Sequence, residues 1–182
     1  MNWTEEQPVV VFEHVGKRYG NGTQGLNDVS FSVYPGEFIA VIGPSGAGKS
    51  TLSSLAAGLL EPDAGTVRVC GHAVTPGMVG VAFQQPEVQF FHDTVFDEVA
   101  FAPRNAGFDE GEVRVLVERS IGAVGLPAEV LERSPFELSG GQARRVAIAS
   151  VIALDAPAYI FDEPSAALDA EGRSFIHRLA CE

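Results

Sequence analysis

Gly43-Pro-Ser-Gly-Ala-Gly-Lys-Ser50, followed by Thr51, has the spacing of a phosphate-binding loop, G-x-x-x-x-G-K-S/T. The residue types suit that chemistry. Glycines let consecutive backbone N–H groups turn inward and form an anion-sized nest. A helix beginning at the end of the loop points its positive N-terminal end at the same place. Lys49, one of only two lysines in the chain (the other is Lys17), adds a point charge for β- and γ-phosphates. The Ser50 hydroxyl can ligate Mg2+. By average residue usage a random chain of this length meets the pattern on the order of one time in a hundred. Here the pattern also falls between a predicted strand and a predicted helix, which is the context that confirms it.

Two further segments carry chemistry. Ala158-Tyr-Ile-Phe-Asp162-Glu163 reads as an apolar strand ending on carboxylates. Such a strand delivers Asp162 to a sheet edge where it can reach a metal shell, and Glu163 can polarise an attacking water as general base. The segment is a weak signal alone and a strong one downstream of a phosphate loop. Leu138-Ser-Gly-Gly-Gln142 opens a predicted helix with a serine and two glycines, a second anion-binding N-terminus. One nucleotide does not need two cradles within a chain. Two chains arranged head to tail do, each capping its partner's ATP. As an isolated pentapeptide the same residues also read as a helix cap, with Ser139 at the N-cap.

The elements that must position these groups follow from periodicity and turn residues. Val9–Phe12, the alternating run Val29–Val33 and Glu37–Ile42 read as strands, the last running straight into the loop. A helix starts at Lys49, with Leu52, Leu55, Ala56 and Leu59 on one face and Gly58 and Pro62 near its stop. Gly65–Cys70 and Val79–Phe83 read as further strands. Thr94–Ala102, Glu110–Ala123 and Gly140–Leu154 have helical spacing, with Pro103, Gly107, Gly125 and Pro127 as punctuation. In the third of these, Val146, Ile148, Ala149 and Ile152 are the candidate buried positions. Ala158–Phe161 returns to strand and roughly Ala170–Leu179 to helix. Strand, helix, helical block, strand and helix in that order imply an α/β core with a helical lobe inserted.

Composition bounds the function. The chain has 182 residues, 46% of them hydrophobic and 20% charged, the balance of an ordinary globular protein. No apolar run approaches the roughly 18–20 residues needed to span a bilayer. The acidic start lacks the basic residues and apolar stretch of a secretory signal, so a cytoplasmic chain is expected. A net charge of −12 argues against a nucleic-acid surface. Cys70 and Cys181 have no metal-like spacing and take no role.

The Gly43–Thr51 loop, Leu138–Gln142 and Phe161–Asp169 together resemble the ATPase domain of ATP-binding-cassette (ABC) proteins, and the match covers nearly the whole chain. The resemblance implies a P-loop NTPase (RecA-like) α/β core with an antiparallel β-subdomain and an inserted helical subdomain. Residues 1–86 and 156–182 would form the core, and 87–155 the helical lobe. It implies Mg-ATP held by Gly43, Ser45, Gly46, Gly48, Lys49, Ser50 and Thr51, with Ser50, Gln84 and Asp162 around the metal. Tyr19 resembles the aromatic residue that stacks on adenine, and also reads as a plain strand-face tyrosine. Gln84 resembles the glutamine that joins core to lobe and senses the γ-phosphate, with Gln85 the lesser candidate. Glu163 would activate water. Ser139, Gly140, Gly141 and Gln142 would cover a partner's ATP, and Asp169 resembles the aspartate that communicates across the dimer.

A finer resemblance is to the ATPase subunits of energy-coupling-factor importers for cobalt, nickel or B-vitamins. Phe83–Phe91 (including Gln89), Thr94–Pro103 and Arg133–Gln142 carry it. The implied partners are a second ATP-binding subunit, identical or paralogous, and a transmembrane subunit, with the chain peripheral on the cytoplasmic side of the membrane. Phe90-Phe91 would contribute to the groove that receives the membrane subunit, or lie in the core. One departure stands out. The family places a γ-phosphate-sensing histidine after another core strand, further along than the 20 residues (163–182) that follow Asp162. His177 falls inside the predicted last helix and is not assigned the role. The missing strand would lie between Glu37–Ile42 and Ala158–Phe161, so either a gap or direct pairing of those two strands is expected. Binding without turnover is therefore an alternative to hydrolysis, and a DNA-acting ABC ATPase is a more distant one, since no heptad run separates loop from signature.

Overall fold

The computed structural model describes residues 7–82 and 90–162. By its contacts the chain divides into two compact units, residues 1–79 and 80–182.

The first unit is a four-stranded antiparallel sheet with one helix. β1 (Val10–Arg18) lies between β2 (Gln24–Val33) and β3 (Ala64–Val69), and β4 (His72–Ala73) pairs with β3. Phe12 pairs with Phe31 on one side and with Val67 on the other. Phe12, Val15, Leu26, Val67 and Val69 are buried, so the alternating apolar residues build this unit's core. The β1–β2 register shifts between Phe12 and Val15. There His14 and Asp28 both take positive φ, and His14 Nδ1 lies 2.7 Å from Asp28 Oδ1. Such bulges re-aim a hairpin. α1 (Lys49–Ala56) buries Thr51, Leu55 and Ala56 and packs on β2 and β3. Leu59, predicted to share that face, lies beyond the helix end and is exposed.

One expectation is corrected in this unit. Glu37–Ile42, read as a strand, forms none: it takes part in no sheet among the described residues. Phe38 and Ile42 are 65% and 94% exposed. A short apolar strand is held by ladder hydrogen bonds on both sides, and its side chains alone do not supply them. β6 (Tyr159–Phe161) pairs in parallel with β5 (Gly80–Ala82), a sheet that does not include Glu37–Ile42 among the described residues.

The second unit is mostly helical. α2 (Val95–Asn105), α3 (Glu110–Ala123) and α4 (Gly140–Ile152) surround a core that includes Val95, Val99, Val113, Val117, Val146 and Ile148. Short 3-10 turns, Ala128–Glu132 and Pro135–Glu137, lead into α4. Caps fix the helix starts. Thr94 accepts from the Asp97 N–H at α2, and Asp109 with Glu112 forms a capping box at α3. Pro103, read as punctuation, instead lies buried within the last turns of α2. The ion pair of Arg104 with Glu110 (2.8 Å) ties those turns to the start of α3, and its pair with Asp97 (3.0 Å) runs back along α2. Arg104 also sits 5.7 Å above the Phe96 ring. Of the four expected buried positions in α4, Val146, Ile148 and Ala149 are buried and Ile152 is half-buried. The predicted helix Ala170–Leu179 lies outside the described residues.

Candidate functional site

The Gly43–Thr51 loop has backbone features that suit a phosphate loop, although the strand expected in front of it is not formed. Gly46 and Gly48 take φ of +80° and +91°, conformations that a side chain resists. Gly48 is the N-cap of α1 and offers no side-chain cap. The first-turn N–H groups of the helix are thus left for a ligand, and no acidic residue lies in that turn to compete for them. A second constraint acts on Gly48: a Cβ there would lie 2.2 Å from the Gly25 carbonyl oxygen of β2. Only glycine lets the strand and the start of the helix come this close. Lys49 bends back across the loop, its Nζ donating to the carbonyls of Gly43 (2.9 Å) and Pro44 (3.0 Å). The ammonium therefore stands over the nest. Ser45 and Ser50 are exposed, and the Ser50 hydroxyl has no hydrogen-bond partner among the described residues.

Tyr19, also in the first unit, lies one residue past the end of β1 and so is not a strand-face tyrosine. Its hydroxyl lies 3.0 Å from Thr51 Oγ1. Gly25 lies beneath the pair and was not singled out in the sequence. An isolated glycine inside a strand pattern is the signal that would have found it.

In the second unit, Ser139 is exposed at the N-cap of α4. Of the two readings of this segment, the structure shows the helix cap. The Ser139 hydroxyl caps the helix by accepting from the Gln142 N–H at 3.4 Å. The Gln142 side chain in turn accepts from the Ser139 N–H at 3.2 Å. The turn is open to solvent at Ser139 and Gly140, with no acid in its first turn. Asp162 follows β6, its N–H bonded to the Ala82 carbonyl at 2.9 Å. Gln84, Gln85, Gln89, Glu163 and Asp169 lie outside the described residues, as do His177 and Cys181.

Phe90 packs against the helical core, whereas Phe91 is 60% exposed and meets Phe101 edge-to-face at 4.9 Å. The buried carboxylate of Glu98 holds this segment. Its Oε2 accepts from the N–H groups of Phe91 and His92, each at 3.0 Å. Nothing in the sequence flagged Glu98. Its helix-face position among Val95 and Val99 was the available signal. Burial pushes the Cys70 thiol pKa up, which keeps it protonated and unreactive. Among the described residues no group of three or more His, Cys, Asp or Glu is arranged to hold a metal. Among the same residues no helix is long and apolar enough to cross a membrane.

The glycine loop in front of α1, on a β-sheet unit followed in sequence by a helical one whose α4 starts at Leu138–Gln142, has the order of parts of a nucleotide-binding cassette. Residues 26–166 match the family model described as ABC transporter, and the chain belongs to that family, with its P-loop NTPase fold. Among curated relatives, the energy-coupling factor transporter ATP-binding protein EcfA2 of Symbiobacterium thermophilum is 45% identical over 177 residues, covering 90% of this chain and 62% of the relative. The protein of the same name from Caldanaerobacter subterraneus subsp. tengcongensis is 42% identical, with the same coverage. The chain thus spans 62% of the length of these relatives. Among solved structures, cbiO1 from Clostridium perfringens, described as part of the ABC transporter complex cbiONQ, superposes with a TM-score of 0.84 at 30% identity. That match covers 97% of this chain and 73% of cbiO1. An ATP-binding cassette solved as a dimer with ADP and Pi gives a TM-score of 0.78 at 27% identity, covering 93% of this chain and 80% of the other.

Proposed function

We propose that this chain is the ATP-binding subunit of an ABC importer of the energy-coupling-factor type, which couples ATP binding and hydrolysis to transport by a membrane partner. The reading is carried by the uncapped start of α1, with Lys49 folded over the Gly43–Ser50 nest. In this reading the loop N–H groups and Lys49 bind the β- and γ-phosphates, and Tyr19 stacks on the base. Bound Mg2+ supplies charge neutralisation on the phosphates. Ser50, Gln84 and Asp162 hold it, and Glu163 accepts the proton of the attacking water. Ser139–Gln142 closes over the ATP of a second subunit and Asp169 reports across that contact. A core of 1–86 and 156–182 with a lobe of 87–155 frames these roles, on the cytoplasmic face of a membrane. Two relatives named as energy-coupling factor ATPases and one neighbour from the cbiONQ complex support the subtype. The exposed Phe91–Phe101 pair is the surface we assign to the membrane subunit, and Phe90 belongs to the core beneath it.

Titration calorimetry with Mg-ATP tests the reading. The native chain binds, and Lys49→Ala weakens binding at least tenfold, on the order of the 1.5–3 kcal/mol of a hydrogen bond to a charged group. Undiminished binding in Lys49→Ala would refute the site. A phosphate-release assay alongside then separates turnover from binding alone.

A further inference from the structure

The backbone of Tyr19 is fixed by the hairpin turn. Its N–H donates to the Thr23 carbonyl and its own carbonyl accepts from the Gly22 N–H, both at 2.8 Å. The side chain then leaves the hairpin for α1 and meets Thr51, the residue immediately after Lys49 and Ser50. Thr51 is 7% exposed and Tyr19 38%, so the anchor is buried while much of the ring stays open. Gly25 of β2 gives them room. A Cβ there would lie 2.9 Å from Thr51 Cγ2 and 3.0 Å from Tyr19 Cε2, closer than packed carbon atoms tolerate. Two positions of one hairpin and a residue of α1 thus meet at one hydroxyl–hydroxyl contact beside the phosphate loop.

We propose that Thr51 is a positioning residue for Tyr19: their hydrogen bond, on the floor left by Gly25, holds the phenol ring as a preformed platform for the base of a nucleoside triphosphate. The proposal rests on the nucleotide-binding reading above and goes further, because it makes affinity for the base depend on a hydroxyl that touches no base. An unanchored tyrosine has to be ordered when a base stacks on it, and that lost freedom is subtracted from affinity. The anchored ring loses it on folding. Stacking uses the π-face that every base presents, so the platform serves the base as a flat surface and does not read its edge.

The test is calorimetric titration of the full chain with ATP and with inorganic tripolyphosphate, and its readout is the ratio of the two affinities. Tyr19→Phe keeps the ring and removes the hydroxyl; Thr51→Val keeps the shape and removes the partner. Each should lower the ratio about two- to tenfold, the range of one net hydrogen bond. The double variant should lower it no further than either single variant, and Thr51→Ser, which keeps a hydroxyl, should recover the ratio that Thr51→Val loses. An unchanged ratio in Tyr19→Phe overturns the proposal, as do additive losses or a tighter grip on ATP, which would mean that the bond holds the ring away from the base. A native chain that binds neither ligand overturns the nucleotide-binding reading and this proposal with it. A native chain that binds ATP, with the ratio unmoved by Tyr19→Phe, overturns this proposal alone.

Discussion

Gly46 and Gly48 offer a controlled comparison, because both take positive φ but only one is crowded. Alanine at Gly46, whose Cβ would meet nothing within 4 Å, should carry only the left-handed backbone cost of roughly 1–2 kcal/mol. Alanine at Gly48 carries the same cost and also drives a Cβ to 2.2 Å from the Gly25 carbonyl oxygen and 3.0 Å from Leu26 Cδ2. A backbone oxygen cannot swing aside as a side chain can. The added overpacking should be about 1–3 kcal/mol. For a chain of this size 1 kcal/mol shifts the melting temperature by roughly 2–4 °C. Gly46→Ala should therefore lower Tm by about 2–8 °C, and Gly48→Ala by a further 2–12 °C or so. Differential scanning calorimetry of the two variants beside the native chain is the assay. If Gly48→Ala melts within about 1 °C of Gly46→Ala, close approach of β2 to the start of α1 is not what requires glycine there.

Three more expectations concern the helical unit. Hydrogen bonds from Arg104 hold the carboxyls of Asp97 and Glu110 below their ordinary range. A carboxylate with a lowered folded pKa stabilises above its unfolded value, about 4, and the contribution is lost as pH falls through the folded value. Arg104→Met, melted at steps from pH 7 to 3, should thus lose less stability between pH 5 and 3 than the native chain; parallel curves would count against the pairing. Ile148, 1% exposed, should cost about 2–5 kcal/mol when truncated to alanine, read as a lower urea midpoint at constant m-value. Glu98→Ala should strip hydrogen-exchange protection from the amides of Phe91 and His92 at a cost of about 1–3 kcal/mol, and unchanged protection would show that Glu98 does not hold that segment.

Signals that reside in a few neighbouring residues were legible. The Asp109–Glu112 capping pair and the glycine after Val124 bracket α3, whose predicted span Glu110–Ala123 is the observed one. The Gly43–Thr51 motif was legible for a similar reason, since the groups expected to hold phosphate are backbone N–H groups and one lysine close by in sequence. Interactions between remote residues were not. The bulges that set His14 against Asp28 leave no mark in a hydropathy pattern. Pro103 was read from its lack of an N–H, but burial and the Arg104 pairs hold it within a helix. Glu37–Ile42 has every local property of a strand, yet strand formation is decided by a neighbour. At the site, sequence supplied Tyr19 and Thr51 separately, whereas their contact and the Gly25 beneath them are products of the fold.

Phe38-Ile-Ala-Val-Ile42 is uncharged, rich in β-branched residues and free of proline, and among the described residues it is exposed and pairs with no strand. That composition is what cross-β stacking selects. Crowded together, molecules of this chain have a ready route to zip through the stretch, and mutual repulsion from a net charge of −12 is the force that keeps them apart. Added salt screens that repulsion, so light scattering from a concentrated solution should rise with ionic strength, and scattering that salt leaves unchanged would refute this role for the stretch.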